Sequence, residues 1–142
     1  MAAYNKFQDF VEQLLLAKHD FSAAGHVFKV YASNAAPSAS LDAVKADLAE
    51  ITAVNGYPSG GTDIQNSVSE TTGTATVACV DVVWTAAGGS FGPLQYVAVY
   101  NDTQTSPADP LVAWWDYGSA VTVNDTETFT VDFGSNSLFT LV

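Results

Sequence analysis

The second half of the chain most limits what it can fold into. From Thr74 on, apolar segments of strand length follow one another, each closed by Gly, Pro, Asn or Asp. They are TATVACVDVVWT (Thr74–Thr85), LQYVAVY (Leu94–Tyr100), LVAWWDY (Leu111–Tyr117), ETFTVDF (Glu127–Phe133) and SLFTLV (Ser137–Val142). Their β-branched and aromatic residues fit a pleated surface, and their period is 2, not 3.6. In the first, Val80, Val82 and Trp84 share one side and Val77, Cys79 and Val83 the other. Only Asp81 interrupts, which predicts one central strand buried on both sides. In Glu127–Phe133, Phe129, Val131 and Phe133 point inward while Thr130 and Asp132 point out. Gly134-Ser135-Asn136 then suits a short hairpin loop. Gly88-Gly89-Ser90-Phe91-Gly92 also reads as a hairpin loop, because it lacks the Lys of a phosphate loop and precedes a strand.

The first half is mixed. Tyr4–Ala17 carries Tyr4, Phe7, Val11 and Leu14 on one helical stripe, with Phe10 and Leu15 beside it, and predicts a short amphipathic helix; a strand is the alternative. HVFKVYAS (His26–Ser33) alternates as a strand. Ser40–Ala53 has a Ser cap, Asp42 in the first turn and a stripe of Leu41, Val44, Leu48 and Ile51, and predicts a second helix stopped by Asn55-Gly56. YPSGGT (Tyr57–Thr62) is a loop, and Asp63–Glu70 an edge strand or extended loop. The prediction is a mainly β fold: an antiparallel β-sandwich or barrel, jelly-roll-like or immunoglobulin-like, with one or two short N-terminal helices.

The 142 residues are one domain's worth, residues 1–142, with residues 1–20 a helical segment able to dock elsewhere. Charge narrows the function. Up to Lys45 the four lysines balance Asp9, Glu12, Asp20 and Asp42, so the whole net charge of −11 falls on residues 46–142. There is no basic footprint for nucleic acid and no attraction to an anionic membrane. The Lys-bearing first third is the better side for an acidic partner. No apolar run approaches the ~20 residues of a membrane span, and the first twenty residues do not read as a secretory signal.

The residues offer little chemistry. His19 and His26 lie close together with no nucleophile elbow in the chain, and read as hydrogen-bonded structural or surface histidines. Cys79 has Asp81 beside it in place of a cation and reads as an inert buried thiol. Metal-ligand spacings of the zinc or calcium-loop kind are missing, so no metal or cofactor is expected. Asn101-Asp102 and Asn124-Asp125 read as turns at strand ends. Trp114 and Trp115, adjacent on one strand, face opposite ways. One belongs to the core. The other, with Trp84, Tyr96, Tyr100 and Tyr117, leaves open an aromatic sugar platform; burial of both tryptophans in a two-layer sandwich is the alternative to an exposed one.

LQYVAVYNDTQTSPADPLVAWWDYG (Leu94–Gly118) resembles a pattern in small virion structural proteins of tailed bacteriophages, where Y-x-D-T leads through a loop to P-L-[IV]-x-[WY]-x-[DY]-[FY]-G. Tyr4-Asn5-Lys6-Phe7, His19-Asp20-Phe21, Ala46-Asp47-Leu48, Asn55-Gly56-Tyr57 and the closing FTVDF and LFTL fit the same family, in order along nearly the whole chain. The resemblance implies a non-enzymatic capsid decoration (cement) protein, made in the host cytoplasm and carried on the outer surface of the head. Its partner is then the major capsid protein, and a homo-trimer or dimer is expected. Neck, tail or head-fibre placement and a carbohydrate-binding module are the alternatives. The contact residues would be Phe7, Phe10, Val11 and Leu14 on the N-terminal stripe, or Trp115 and Tyr117 on the aromatic strand.

Overall fold

The structure is a computed structural model and describes residues 2–142. In chain order it contains β1 (Asn5–Lys6), α1 (Asp9–Leu15), β2 (Phe28–Ser33), a 3-10 turn at Lys45–Asp47, β3 (Thr62–Asp63), β4 (Ser67–Thr71), β5 (Thr74–Ala78), β6 (Val82–Thr85), β7 (Phe91–Asn101), β8 (Leu111–Val123), β9 (Thr128–Val131) and β10 (Ser137–Leu141). A five-stranded sheet runs β1-β8-β7-β2-β3; β10-β5-β4 and β6-β9 form smaller sheets. Every pairing is antiparallel. The mainly β, sandwich-like architecture with a short helix near the N-terminus is therefore as the sequence predicts.

β2 and β7 run side by side at the centre of the large sheet, from Phe28 opposite Asn101 to Ser33 opposite Tyr96. Both carry apolar side chains on both faces. One face, with Phe28, Val30, Ala32, Val97 and Val99, packs on Val77, Val82, Trp84, Val131 and Leu138 of the small sheets. The other face, with Tyr31, Ala98, Tyr100 and Leu111, packs on Phe7 and Leu48, and Trp114 closes it. Fully burying a large apolar side chain contributes about 1.5–3 kcal/mol, so neither face can be left bare.

Covering that second face explains the main departure from the sequence reading. Ser40–Ala53 is not a helix. Its backbone bonds to neighbouring segments instead: Lys45 N–H donates to Asp109 O, Leu111 N–H to Ala43 O, and Ile51 N–H to Ala32 O. Asp47 accepts from Ala43 and Val44 N–H at 3.0 Å each, which holds a single 3-10 turn. Leu48 is buried, while Leu41 of the same supposed stripe lies in solvent. Tyrosine hydroxyls pin the cover down: Tyr31 donates to Leu48 O at 3.0 Å, Tyr100 to Gly60 O at 2.7 Å, and Tyr57 accepts from Ala32 N–H at 2.8 Å. Gly61 (φ 73°) passes so close to the sheet that a Cβ there would overlap the Val30 carbonyl.

Three smaller differences follow from pairing. The predicted N-terminal helix is shorter, because Asn5 and Lys6 pair with Trp114 and Ala113 of β8. It ends in a Schellman motif: Ala17 takes a positive φ of 58°, Lys18 N–H reaches Gln13 O, and Ala17 N–H reaches Leu14 O. The predicted strand Thr74–Thr85 is two strands. Val77 and Cys79 are buried in β5 and after it, whereas Val82 and Trp84 are buried in β6, so the inward parity switches at Val80-Asp81. There Asp81 accepts from Phe133 N–H at 2.8 Å. Neither predicted hairpin loop joins paired strands, because β6 pairs with β9 and β10 pairs with β5.

Asn101, at the end of β7, is fully buried. Its Oδ1 accepts from Thr103 and Gln104 N–H, and its Nδ2 faces Lys18 O, His19 Nδ1 and His26 Nδ1 at 2.9–3.2 Å. Asn101→Leu leaves two N–H groups and a carbonyl unpaired. It should cost about 3 kcal/mol or more in urea unfolding.

Candidate functional site

Two surface grooves gather the side chains able to recognise something. The first lies on β8 and β9. Trp114 and Trp115 do face opposite ways: Trp114 packs on Phe7 with ring centroids 4.6 Å apart, while Trp115 lies on the other face against Tyr4 and Phe133. Both indoles are half-buried. Beyond Trp115 a groove of about 510 Å³ is lined by Trp115, Asp116, Tyr117, Phe129, Asp132 and Phe133, with Gln95 at its side. Tyr117 is 59% exposed. Sequence reading singled out Trp115 and Tyr117 but assigned Phe129 and Phe133 to the core. Phe129 is in fact half-buried and Phe133 buried beneath the groove.

The second groove, about 490 Å³, opens between the end of α1, the His19–Ser22 turn and one face of the three-stranded sheet. Leu14 and Ala17 line one side; Val68, Val77, Phe139 and Leu141 line the other. The strand register explains this face: Val68 and Phe139 both pair with Val77, and Leu141 pairs with Ala75. Of the lining residues, Val68 and Leu141 are exposed; Val11, Leu15 and Leu16, on α1 and at its end, and Val142 are exposed as well, Leu15 by 83%.

The expected N-terminal contact residues therefore divide. Phe7 and Phe10 are buried inside the domain, Phe7 against Trp114 and Phe10 against Phe21 and Phe139, so neither is available to a partner. Each is drawn in because β1 docks on β8 and pulls the start of α1 onto the sandwich. Val11 is exposed and Leu14 half-buried at the groove edge. Leu15, Leu16, Val68 and Leu141 were not recognised from sequence. No local signal separates them from core residues, since their exposure depends on what α1 fails to cover. Two of the lysines expected to meet an acidic partner are already engaged, Lys29 with Asp102 and Lys45 with Glu50, each at 2.8 Å.

The histidines are structural in their surroundings. Because Asn101 Oδ1 accepts two backbone N–H groups, its NH₂ is the end that faces Lys18 O and Nδ1 of both rings. His19 is buried among Phe10, Phe21 and Phe28, and its Nε2 has no hydrogen-bond partner. Burial, helped by the nearby His26 charge, pushes His19 down to about 4. Cys79 is buried, and burial, then Asp81, pushes its thiol up to about 12, so it is no nucleophile at neutral pH. Among the described residues no group of three His, Cys, Asp or Glu is placed to hold a metal ion, and no helix is long and apolar enough to cross a membrane.

Two outcomes follow. An unfolded histidine titrates near 6.5, so between there and about 4 the unfolded chain binds a proton at His19 that the folded chain does not. Stability should be unaffected by His19 above pH 6.5 and fall below it, by on the order of 3 kcal/mol in all. Urea unfolding of wild type and His19→Phe at pH 7 and pH 5 checks this: the variant should show the shallower fall. Asp20 and Asp47 are both held below the usual carboxylate range by hydrogen bonds, so their contributions are lost only at lower pH. Cys79 should resist a thiol reagent in the native protein and react fully in denaturant.

No protein-family model, no curated protein and no solved structure matches the chain.

Proposed function

We propose that the chain is a non-enzymatic structural component of a bacteriophage virion, of the capsid-decoration kind, that docks on the assembled head through the apolar groove beside α1. The observation that carries this reading is an apolar groove lined by Leu14, Val68, Val77, Phe139 and Leu141, with Val68 and Leu141 exposed and further exposed aliphatics, Val11, Leu15 and Leu16, on the helix that borders it and at its C-terminal end. A small domain rarely leaves so many large aliphatic side chains together in water unless a partner covers them. The sequence resemblance to small virion proteins supplies the partner class, the major capsid protein, and copies of the chain group as dimers or trimers at symmetry axes of the shell. Charge agrees with an outer position, because an acidic body of net charge −11 is not drawn to packaged DNA. A protein that binds only the assembled shell stabilises it by mass action, more so as its free concentration rises above the dissociation constant.

The test has two steps. Quantitative mass spectrometry of purified virions should find the chain at a copy number comparable to the major capsid protein. A handful of copies would move it to the neck, tail or head fibres, and absence would overturn the virion reading. Leu15→Glu and Leu141→Glu, both at exposed positions, should each leave folding intact. Together they should weaken co-sedimentation with heads lacking the chain by at least about tenfold, the loss of roughly 1.4 kcal/mol.

A further inference from the structure

The groove on β8 and β9 has a different chemistry from the groove beside α1. We infer that it is a binding site for a neutral saccharide, and this does not rest on the virion reading. Its wall is aromatic. Trp115 and Phe133 meet edge-on with centroids 5.4 Å apart, and Tyr117 and Phe129 are also 5.4 Å apart. Trp84 backs Phe129 from the core in a stacked arrangement at 6.2 Å, and Tyr4 supports Trp115 at 5.7 Å. Rings held this firmly lose little conformational freedom when a ligand binds. The rings meet in two pairs along the groove, at interplanar angles of 77° and 60°, and Tyr117 is the ring open to solvent. The exposed Tyr117 ring suits stacking on the C–H face of a pyranose ring.

The polar groups suit sugar hydroxyls. Asp116 uses Oδ1 to accept from Gly118 N–H at 2.7 Å and from Gln95 Nε2 at 3.1 Å. Asp132 uses Oδ1 to accept from Gly134 N–H at 2.6 Å. These bonds orient both carboxylates, and among the described residues the second oxygen of each has no hydrogen-bond partner. A carboxylate oxygen accepts strongly from a hydroxyl donor. Gln95 and Thr130 are neutral polar residues of the same lining. No lysine or histidine lines the groove, and two aspartates do, so sialic acids, uronic acids and phosphosugars would be repelled. A volume of about 510 Å³ lies within the range of small-ligand clefts and leaves room for a short glycan.

The experiment is a titration of the full chain with maltotriose, cellotriose, chitotriose and a neutral galactose trisaccharide, followed by tryptophan fluorescence and by NMR. Sialyllactose and choline serve as controls. At least one neutral trisaccharide should bind in the millimolar range or tighter, shifting the Trp115 indole and the Asp132 region. Tyr117→Ala, at an exposed position, should weaken it at least about tenfold. Asp132→Asn should weaken it less than Tyr117→Ala, since the amide keeps one acceptor. Sialyllactose should bind more weakly than the neutral trisaccharides. The inference is overturned if no neutral trisaccharide binds at about 10 mM. It is equally overturned if choline or sialyllactose is preferred, or if Tyr117→Ala leaves binding unchanged. Tyr117→Ala should still sediment with heads, whereas Leu15→Glu/Leu141→Glu should still bind sugar, so failure of one proposal is distinguishable from failure of the other.

Discussion

Two strands buried on both faces set the terms for everything else. β2 and β7 place Phe28, Val30 and Val99 on one side and Tyr31, Ala98 and Tyr100 on the other. A sheet of this kind needs a layer on each side. The small sheets supply one. No further sheet is left for the other, so the chain uses the segment between β2 and β3, together with Phe7 and Trp114. That segment has to lie flat and close, which a helix about 10 Å across would not do over so short a span. Its polar backbone is satisfied by tyrosine hydroxyls from the sheet and by Glu50, which accepts from Tyr57 Oη, Gly60 N–H and Lys45 Nζ. Lys45 also sits over the Tyr31 ring, 4.9 Å from its centroid. An apolar face is thus closed by a layer whose own polar groups are paired.

The turn between α1 and β2 is held by amides. Asn101 reaches Lys18 O and both histidine rings, and Asn66 donates to Phe21 O at 3.0 Å and His26 O at 3.2 Å while accepting from Phe28 N–H. Buried amides serve here because each can donate and accept at once. Once they fix the turn, Phe10 and Phe21 are committed to the core, and the outer side of α1 is left without cover. The apolar groove is a consequence of that placement: the helix is too short to roof the whole face of β4, β5 and β10.

Edges and surfaces are handled unequally. The outer strands of the large sheet, β1 and β3, are two residues each, too short to template pairing with another chain. β4 ends its sheet with Ser and Glu side chains in solvent. β10, the opposite edge, is apolar and ends in exposed Leu141. A net charge of −11 opposes unspecific association of copies, and the apolar edge and groove are where the surface departs from that character. The two proposed sites follow this division, one apolar beside α1, one aromatic and acidic on β8 and β9.

Much of the fold was legible in the sequence, because period-2 patterning is local: β2, β7, the start of β8, β9 and β10 each announce themselves through alternation and flanking turn residues. So was the opposite facing of Trp114 and Trp115, which any extended strand imposes. Ser40–Ala53 misled because its helical stripe is real as a pattern, yet its hydrogen bonds go to Asp109, Leu111 and Ala32, residues distant in sequence. The split at Val80-Asp81 was hidden for the same reason, since the partner that turns the chain is Phe133. The sites divide in this way too. Trp115 and Tyr117 were visible as aromatics with a free face. Their companions Phe129 and Asp132, and the exposure of Leu15 and Leu141, depend on which strands become neighbours. Local periodicity by itself determined the strands and their inward faces; only tertiary structure decided which faces found cover, because burial is a property of the partner as much as of the residue.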